Sequence, residues 1–140
     1  LKRISFKIIN LHKKIFSKKE EVLILGASFK GLPETIDIRN SPAISLSGQL
    51  TKNKIKNYIY DLKGKEIVKN NNSIKNFIFN VNLIKNFDII ILTNNNSKYS
   101  DLIIEEITKT KNNKKKIIFD CWNLLDREVC KSSGFDYYTI

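Results

Sequence analysis

Val22-Leu23-Ile24-Leu25-Gly26 is a wholly apolar run closed by a glycine and set between a lysine-rich stretch and a long loop. Four consecutive aliphatic residues cannot alternate between core and water, so the run reads as a strand buried on both faces. The signature returns as Tyr58-Ile59-Tyr60 before Asp61, as Asp88-Ile89-Ile90-Ile91-Leu92, and as Ile117-Ile118-Phe119 before Asp120. A last strand is expected over residues 137–140. Between the runs the period changes. Ile4, Ile8, Leu11 and Ile15 are spaced by four, three and four, the stripe of an amphipathic helix. Ser41-Pro42 opens another helix, because serine can cap free N–H groups and proline suits the first helical position. Ala43, Leu46 and Leu50 supply its buried stripe, and Leu102, Ile103 and Ile107 that of a helix over residues 99–109. Residues 69–75 read as a polar loop, Phe77-Ile78-Phe79 as a short strand, residues 81–85 as a brief helix and residues 126–132 as a final one.

Short buried strands alternating with amphipathic helices imply βαβ units around a parallel sheet. The expected fold is α/β: a Rossmann-like three-layer sandwich with a mainly parallel sheet, preceded by an N-terminal helix. The expected division is a linker helix over residues 1–19 and one binding domain over residues 20–140. In such sheets ligands bind beyond the carboxyl ends of the strands, near the point where strand order reverses. That places residues 26–39, Asp61, residues 93–96 and residues 120–123 on one edge.

The chain has 140 residues, 25 Lys and Arg against 14 Asp and Glu, and a net charge of +11. Such a balance invites a nucleic-acid reading. The lysines, however, are spread through nearly every segment beside abundant Asn and Ile, the residues that an AT-rich genome over-encodes. The runs Lys13-Lys14, Lys18-Lys19 and Lys114-Lys115-Lys116 fall where solvated faces and loops are expected. No zinc-finger spacing and no aromatic-basic strand for stacking bases is present. The chain contains no methionine, which points to a piece of a longer protein. No apolar run approaches the roughly 20 residues that cross a bilayer. Cys121 and Cys130 form no disulfide framework and no metal-ligand cluster, so a cytoplasmic protein is expected.

The segment Gly26-Ala27-Ser28-Phe29-Lys30-Gly31 fits neither common phosphate loop. Leu32-Pro33 stand where a Walker loop needs Lys and Ser or Thr, and the middle glycine of a dinucleotide fingerprint is missing. What remains is a lysine just beyond a strand end, then a loop closing on Asp37-Ile38-Arg39-Asn40-Ser41-Pro42. Lys30 and Arg39 flank a helix start whose dipole also favours anions, so this edge suits phosphate.

The stretch LILGASFKGLPETIDIRNSPAISL resembles the signature that opens the UDP-binding, C-terminal domain of UDP-glucose/GDP-mannose dehydrogenases. There a first strand runs into Gly-x-x-Phe-Lys and then, after a loop, into Asp-x-Arg-x-Ser-Pro. Tyr60-Asp61, residues 88–93, residues 120–125 and residues 134–140 resemble later parts of the same domain. The chain departs from the pattern at Ser28, where alanine is common, at Ile36, where an acid often stands, and at Leu62, which replaces a proline. The resemblance implies a domain that closes over a nucleotide sugar, most often a UDP-sugar, in an NAD-dependent enzyme oxidising the sugar C6 alcohol to a carboxylate. By that resemblance Phe29 and Lys30 contact the substrate, and Arg39 reaches NAD held mainly by an N-terminal domain. The expected partners are that domain, a central domain carrying the nucleophile, and further copies in a homo-oligomer. A free-standing nucleotide-binding module and a basic nucleic-acid binder are the alternatives.

No catalytic residue and no metal ligand is assigned within the chain. Neither cysteine has a base beside it in the sequence pattern. His12, among lysines on the first helix, is expected to face solvent. Asp37 reads as a partner orienting Arg39 rather than a general base. Trp122 reads as structural, with nucleobase contact as the alternative.

Overall fold

A computed structural model describes residues 2–15, 20–28, 30–31, 33–109 and 116–139. In chain order the elements are α1 (Lys2–Ile15), β1 (Val22–Leu25), α2 (Pro42–Lys52), β2 (Asn57–Tyr60), α3 (Gly64–Asn70), a 3-10 helix (Val81–Asn86), β3 (Ile89–Leu92), α4 (Lys98–Thr108), β4 (Lys116–Asp120), α5 (Arg127–Ser132) and β5 (Phe135–Thr139). The five strands form one sheet in the order β2-β1-β3-β4-β5, and every pairing is parallel. The chain leaves β1 toward β2 on one side, then returns past it to β3 on the other. The reversal therefore falls between β1 and β3, where a Rossmann-like sheet opens its crevice.

Period two divides the strand residues between two cores. Val22, Ile24, Ile59, Ile89, Ile91, Ile117 and Phe119 face α1, α2 and α3, meeting Ile8, Leu46, Leu50 and Ile67. Leu23, Leu25, Ile90, Leu92 and Ile118 face the 3-10 helix, α4 and α5, meeting Ile84, Tyr99, Ile103 and Cys130. Each fully buried aliphatic side chain contributes about 1.5–3 kcal/mol, and the three central strands bury theirs almost completely.

Several local expectations need correction. His12 does not face solvent: it is 5% exposed, and its Nε2 lies 3.2 Å from the Glu20 carbonyl. The helix turns it inward because it lies four residues beyond the fully buried Ile8. Helix α3 was not expected, and it takes the first two residues of the loop placed at 69–75. Ile67 is its single fully buried apolar side chain, too little for a visible period. Phe77-Ile78-Phe79 makes one parallel bridge, from Phe77 to Ile59, rather than a strand. The exposed connection expected at 111–116 lies outside the described residues except for Lys116, which is buried and donates from Nζ to the Lys85 carbonyl at 2.7 Å. The remaining elements fall within about two residues of their expected bounds.

Candidate functional site

The loop after β1 is held to the carboxyl edge of the sheet from below. Gly26 turns out of the strand at φ 97°, and an alanine Cβ there would lie 2.1 Å from Asn94 Cβ. Asp61, at the end of β2, accepts from the backbone N–H of Ala27 at 2.7 Å and of Ser28 at 3.1 Å. Its other oxygen accepts from Lys63 N–H at 2.8 Å. Ser41 caps α2 as expected, accepting from Ile44 N–H at 3.2 Å, and its hydroxyl donates to the Ala27 carbonyl. Ser28, where the resemblance has alanine, is buried, and its hydroxyl donates to the Lys30 carbonyl at 3.1 Å.

A second loop, Thr93-Asn94-Asn95-Asn96, supports the first from the side of β3. Thr93 Oγ1 lies 3.0 Å from the Leu25 carbonyl and 2.9 Å from that of Gly26. Asn94 donates to Ser28 Oγ at 3.1 Å, and Asn95 Oδ1 accepts from Gly31 N–H at 2.8 Å. Asn96 and Lys98 both donate to Glu34 Oε1, at 3.0 and 2.6 Å. The loops approach so closely that a Cβ on Gly31 would lie 2.2 Å from Asn94 Oδ1 and 2.4 Å from Asn96 N. Reading the sequence placed residues 26–39 and 93–96 on this edge but gave the asparagine row and Glu34 no role. The available signal was three amides directly after the buried strand at the reversal of strand order.

Above these supports stand the two cations. Lys30 is exposed just past the strand end. Asp37 clamps Arg39 through both carboxylate oxygens: Nε lies 3.0 and 3.1 Å from them, and Nη2 donates to Oδ2 at 2.6 Å. The Arg39 side chain is 86% exposed, so the pair orients a surface guanidinium and adds little to stability. The Arg39 hydrogen bonds, with a smaller effect from the charge of Lys30, hold the Asp37 carboxyl down at about 2. A lowered carboxyl keeps its pair above the usual carboxylate range and loses it only as pH falls toward that value. Asp37 and Arg39 thus stay paired at neutral pH, and Lys30 is an exposed cation on the same loop. Phe29 lies outside the described residues.

Other residues of the same edge make internal hydrogen bonds. Asp120 is fully buried, accepting from Leu125 N–H and the Tyr137 hydroxyl, each at 2.8 Å. Trp122 is 53% exposed, with its indole N–H on the Thr93 carbonyl at 3.1 Å. Burial, with the charge of Asp120 behind it, pushes the Cys121 thiol up to about 11 and the Cys130 thiol up to about 12. A protonated thiol is a poor nucleophile. In the native chain at neutral pH, Cys130 should resist an aromatic disulfide reagent until unfolding, and Cys121 should react far more slowly than free cysteine. A thiol reacting at the free-cysteine rate would contradict this. Among the described residues no cluster of three His, Cys, Asp or Glu side chains is placed to hold a metal ion. None of their helices is long and apolar enough to cross a membrane.

A cleft of 520 Å³ lies at the other end of the sheet, among Ser47, Lys54, Lys56, Asn57, Lys75 and Asn76. Its polar floor is spent internally: Ser47 donates to Asn57 Oδ1 at 2.6 Å, and Asn76 to Ser47 Oγ at 2.9 Å. It also lies beside the last turn of α2, the end whose dipole disfavours anions. At the carboxyl edge, a cleft of 320 Å³ runs along Tyr60, Asp61, Leu62 and Lys63 to Phe79. Between the two loops, where a dinucleotide would enter a Rossmann-like crevice, Ser28, Gly31, Asn94 and Asn96 leave only 10 Å³. The residues present do not fit a dinucleotide in that crevice.

A family profile described as the UDP-glucose/GDP-mannose dehydrogenase family, UDP binding domain, matches residues 23–127. The UDP-glucose 6-dehydrogenase of Rickettsia conorii is 33% identical over 126 residues, covering 88% of this chain and 28% of that relative. The UDP-N-acetyl-D-mannosamine dehydrogenase of Methanocaldococcus jannaschii is 28% identical over 138 residues, covering 95% of this chain and 30% of the relative. The chain therefore spans under a third of the length of either. Among solved structures, the NDP-N-acetyl-D-galactosaminuronic acid dehydrogenase of Methanosarcina mazei superposes with a TM-score of 0.68 at 18% identity, over 98% of this chain and 28% of its own. The UDP-D-ManNAc dehydrogenase of Pyrococcus horikoshii gives 0.66 at 21% identity, over 99% and 30%. At such identities the superpositions speak for the fold, while the profile carries the family: the chain belongs to the UDP-glucose/GDP-mannose dehydrogenases and corresponds to their UDP binding domain.

Proposed function

We propose that the chain is the substrate-closing domain of an NAD-dependent nucleotide-sugar 6-dehydrogenase, which oxidises the C6 alcohol of a UDP-sugar, or a GDP-sugar, to the uronic acid. The observation that carries the reading is the group Lys30, Asp37 and Arg39, held over the carboxyl edge by Asp61, Ser41 and the asparagine row. Lys30 offers a compact charge to a diphosphate, and Arg39 a planar fork of donors already oriented by Asp37. Phe29 and Lys30 are assigned to the nucleotide sugar, and Arg39 to NAD. The filled crevice supports a division of labour in which NAD, the hydride acceptor, is held mainly by another domain and meets this one only at Arg39. Residues 1–19 act as the linker helix and residues 20–140 as the binding domain of a cytoplasmic, homo-oligomeric enzyme. The nucleophile lies outside these residues, so the chain by itself forms no NADH from a UDP-sugar.

The two cations separate the roles. In the enzyme carrying this domain, Lys30→Ala should raise KM for the nucleotide sugar, and Arg39→Ala should raise KM for NAD. Each removes one charge-assisted contact, so about tenfold to a hundredfold in kcat/KM is expected for the ligand concerned. Both side chains are exposed, and circular dichroism should show an unchanged fold. Steady-state kinetics against each ligand decides the matter. Two kinetically normal variants, or preferences exchanged between them, would refute the assignment.

A further inference from the structure

The three asparagines after β3 are not equivalent. Each carbonyl oxygen is spent within the chain: Asn94 Oδ1 on Asn96 N–H at 2.9 Å, Asn95 Oδ1 on Gly31 N–H at 2.8 Å, and Asn96 Oδ1 on Lys98 N–H at 3.1 Å. Two of the amide nitrogens are spent as well, Asn94 Nδ2 on Ser28 and Asn96 Nδ2 on Glu34. Asn95 Nδ2 has no acceptor among the described residues. Asn95 itself is partly exposed. The Gly31 bond fixes which way it points. An N–H facing the side chain requires the carbonyl oxygen there, and the two amide hydrogens must then point away from Gly31.

Asn95 is only partly exposed, so its rotamer is held by the packing that holds the loops together. It is bonded to the residue directly after Lys30, and that residue, Gly31, lines the crevice that Asn94 and Asn96 fill. We infer that Asn95 is a further specificity-determining residue of this site, donating from Nδ2 to an oxygen of the bound nucleotide sugar. The inference rests on the reading of the site given above. The ligand class is an oxygen acceptor, either a phosphate oxygen or a sugar hydroxyl. A preoriented donor costs little ordering on binding, and a ligand without an acceptor at that point leaves it facing no partner.

Replacing Asn95 by aspartate removes the donor and adds a negative charge, so it is read beside the uncharged Asn95→Ala. The carboxylate keeps an oxygen for Gly31 N–H, so the loop anchor survives while the outward donor becomes an acceptor. Asn95→Ala removes both without adding charge. The dissociation constants of UDP and UDP-glucose are measured for wild type and both variants by amide chemical-shift titration into the millimolar range. The Gly31 amide reports on the anchor. The expected result for N95D is an unmoved Gly31 signal with binding weakened about tenfold or more, and for N95A a loss of about threefold or more. An equal loss for both ligands places the donor on a phosphate, and a loss confined to UDP-glucose places it on the sugar. Unchanged constants in N95D beside measurable wild-type binding overturn the Asn95 inference and leave the site reading in place. If the isolated chain binds too weakly to measure, kcat/KM for the nucleotide sugar in the enzyme carrying this domain decides, and unchanged values in both variants overturn the inference.

Discussion

Gly26→Ala should destabilise the domain by about 3 kcal/mol or more, whereas Gly48→Ala should stabilise it by about 0.5–1 kcal/mol. Gly26 has a φ of 97°, and a Cβ there would lie 2.1 Å from Asn94 Cβ and 3.3 Å from Asn94 Cα. Neither atom can swing aside as the tip of a long side chain could, and Asn94 is only 2% exposed. The strand end or the asparagine loop must move. Gly48 sits inside α2 with nothing within 4 Å of the added methyl, so alanine there only narrows the unfolded ensemble. Thermal denaturation of the two variants should give shifts of opposite sign, with about 10 °C or more lost at Gly26. Equal stability of Gly26→Ala and wild type would mean that the two loops are not in contact as described.

Asp61→Ala has the second large effect. The carboxylate is 6% exposed and accepts from three backbone N–H groups, two in the loop that leads to Lys30 and one at the start of α3. Alanine leaves all three without an acceptor. Each buried donor so orphaned costs about 1–3 kcal/mol, and a loss of about 3 kcal/mol or more follows unless water enters. Asp61→Asn retains one oxygen but aims an N–H₂ group at donors, so it should fall between the two. Urea unfolding with an unchanged slope would read the difference directly. The loop amides of Ala27 and Ser28 should also lose their protection from hydrogen exchange in Asp61→Ala. A variant with wild-type stability and protection would remove Asp61 from its supporting role.

Most of the fold was legible because its central strands β1 and β3 are unbroken aliphatic runs. Val22–Leu25 and Ile89–Leu92 pack on both faces, and their sequences say so. What escaped was structure held by tertiary contact rather than by pattern. Helix α3 has few apolar residues, and its burial depends on a neighbouring sheet edge. Phe77 follows β2 through one bridge that no local propensity marks. His12 looked like part of a charged face, yet its ring is drawn in beside the Glu20 carbonyl.

The site was legible in its cations and in the Ser41-Pro42 helix start, since charge and capping are local properties. Asp37 as the partner of Arg39 followed from adjacency on one loop, and the bidentate clamp agrees with it. The supports were legible by place but not by the bonds they make. Asn94, Asn95 and Asn96 act across more than 60 residues of chain, on Ser28, Gly31 and Glu34. Asparagine in a lysine- and asparagine-rich sequence carries no mark of its task. Only the sheet order, which brings the ends of β1 and β3 together, makes the row meaningful.

The central claim is that nucleotide binds across the loop after β1, on the Lys30 and Arg39 side, and not in the larger cleft at the opposite end of the sheet. Amide chemical-shift mapping of the 140-residue chain with UDP tests it most directly. The account predicts that the shifts concentrate on Gly26, Ser28, Lys30, Gly31, Arg39 and Asn95, and that Lys30→Ala abolishes most of them. Shifts confined to Ser47, Lys54, Lys56 and Lys75, or to α1, would contradict it.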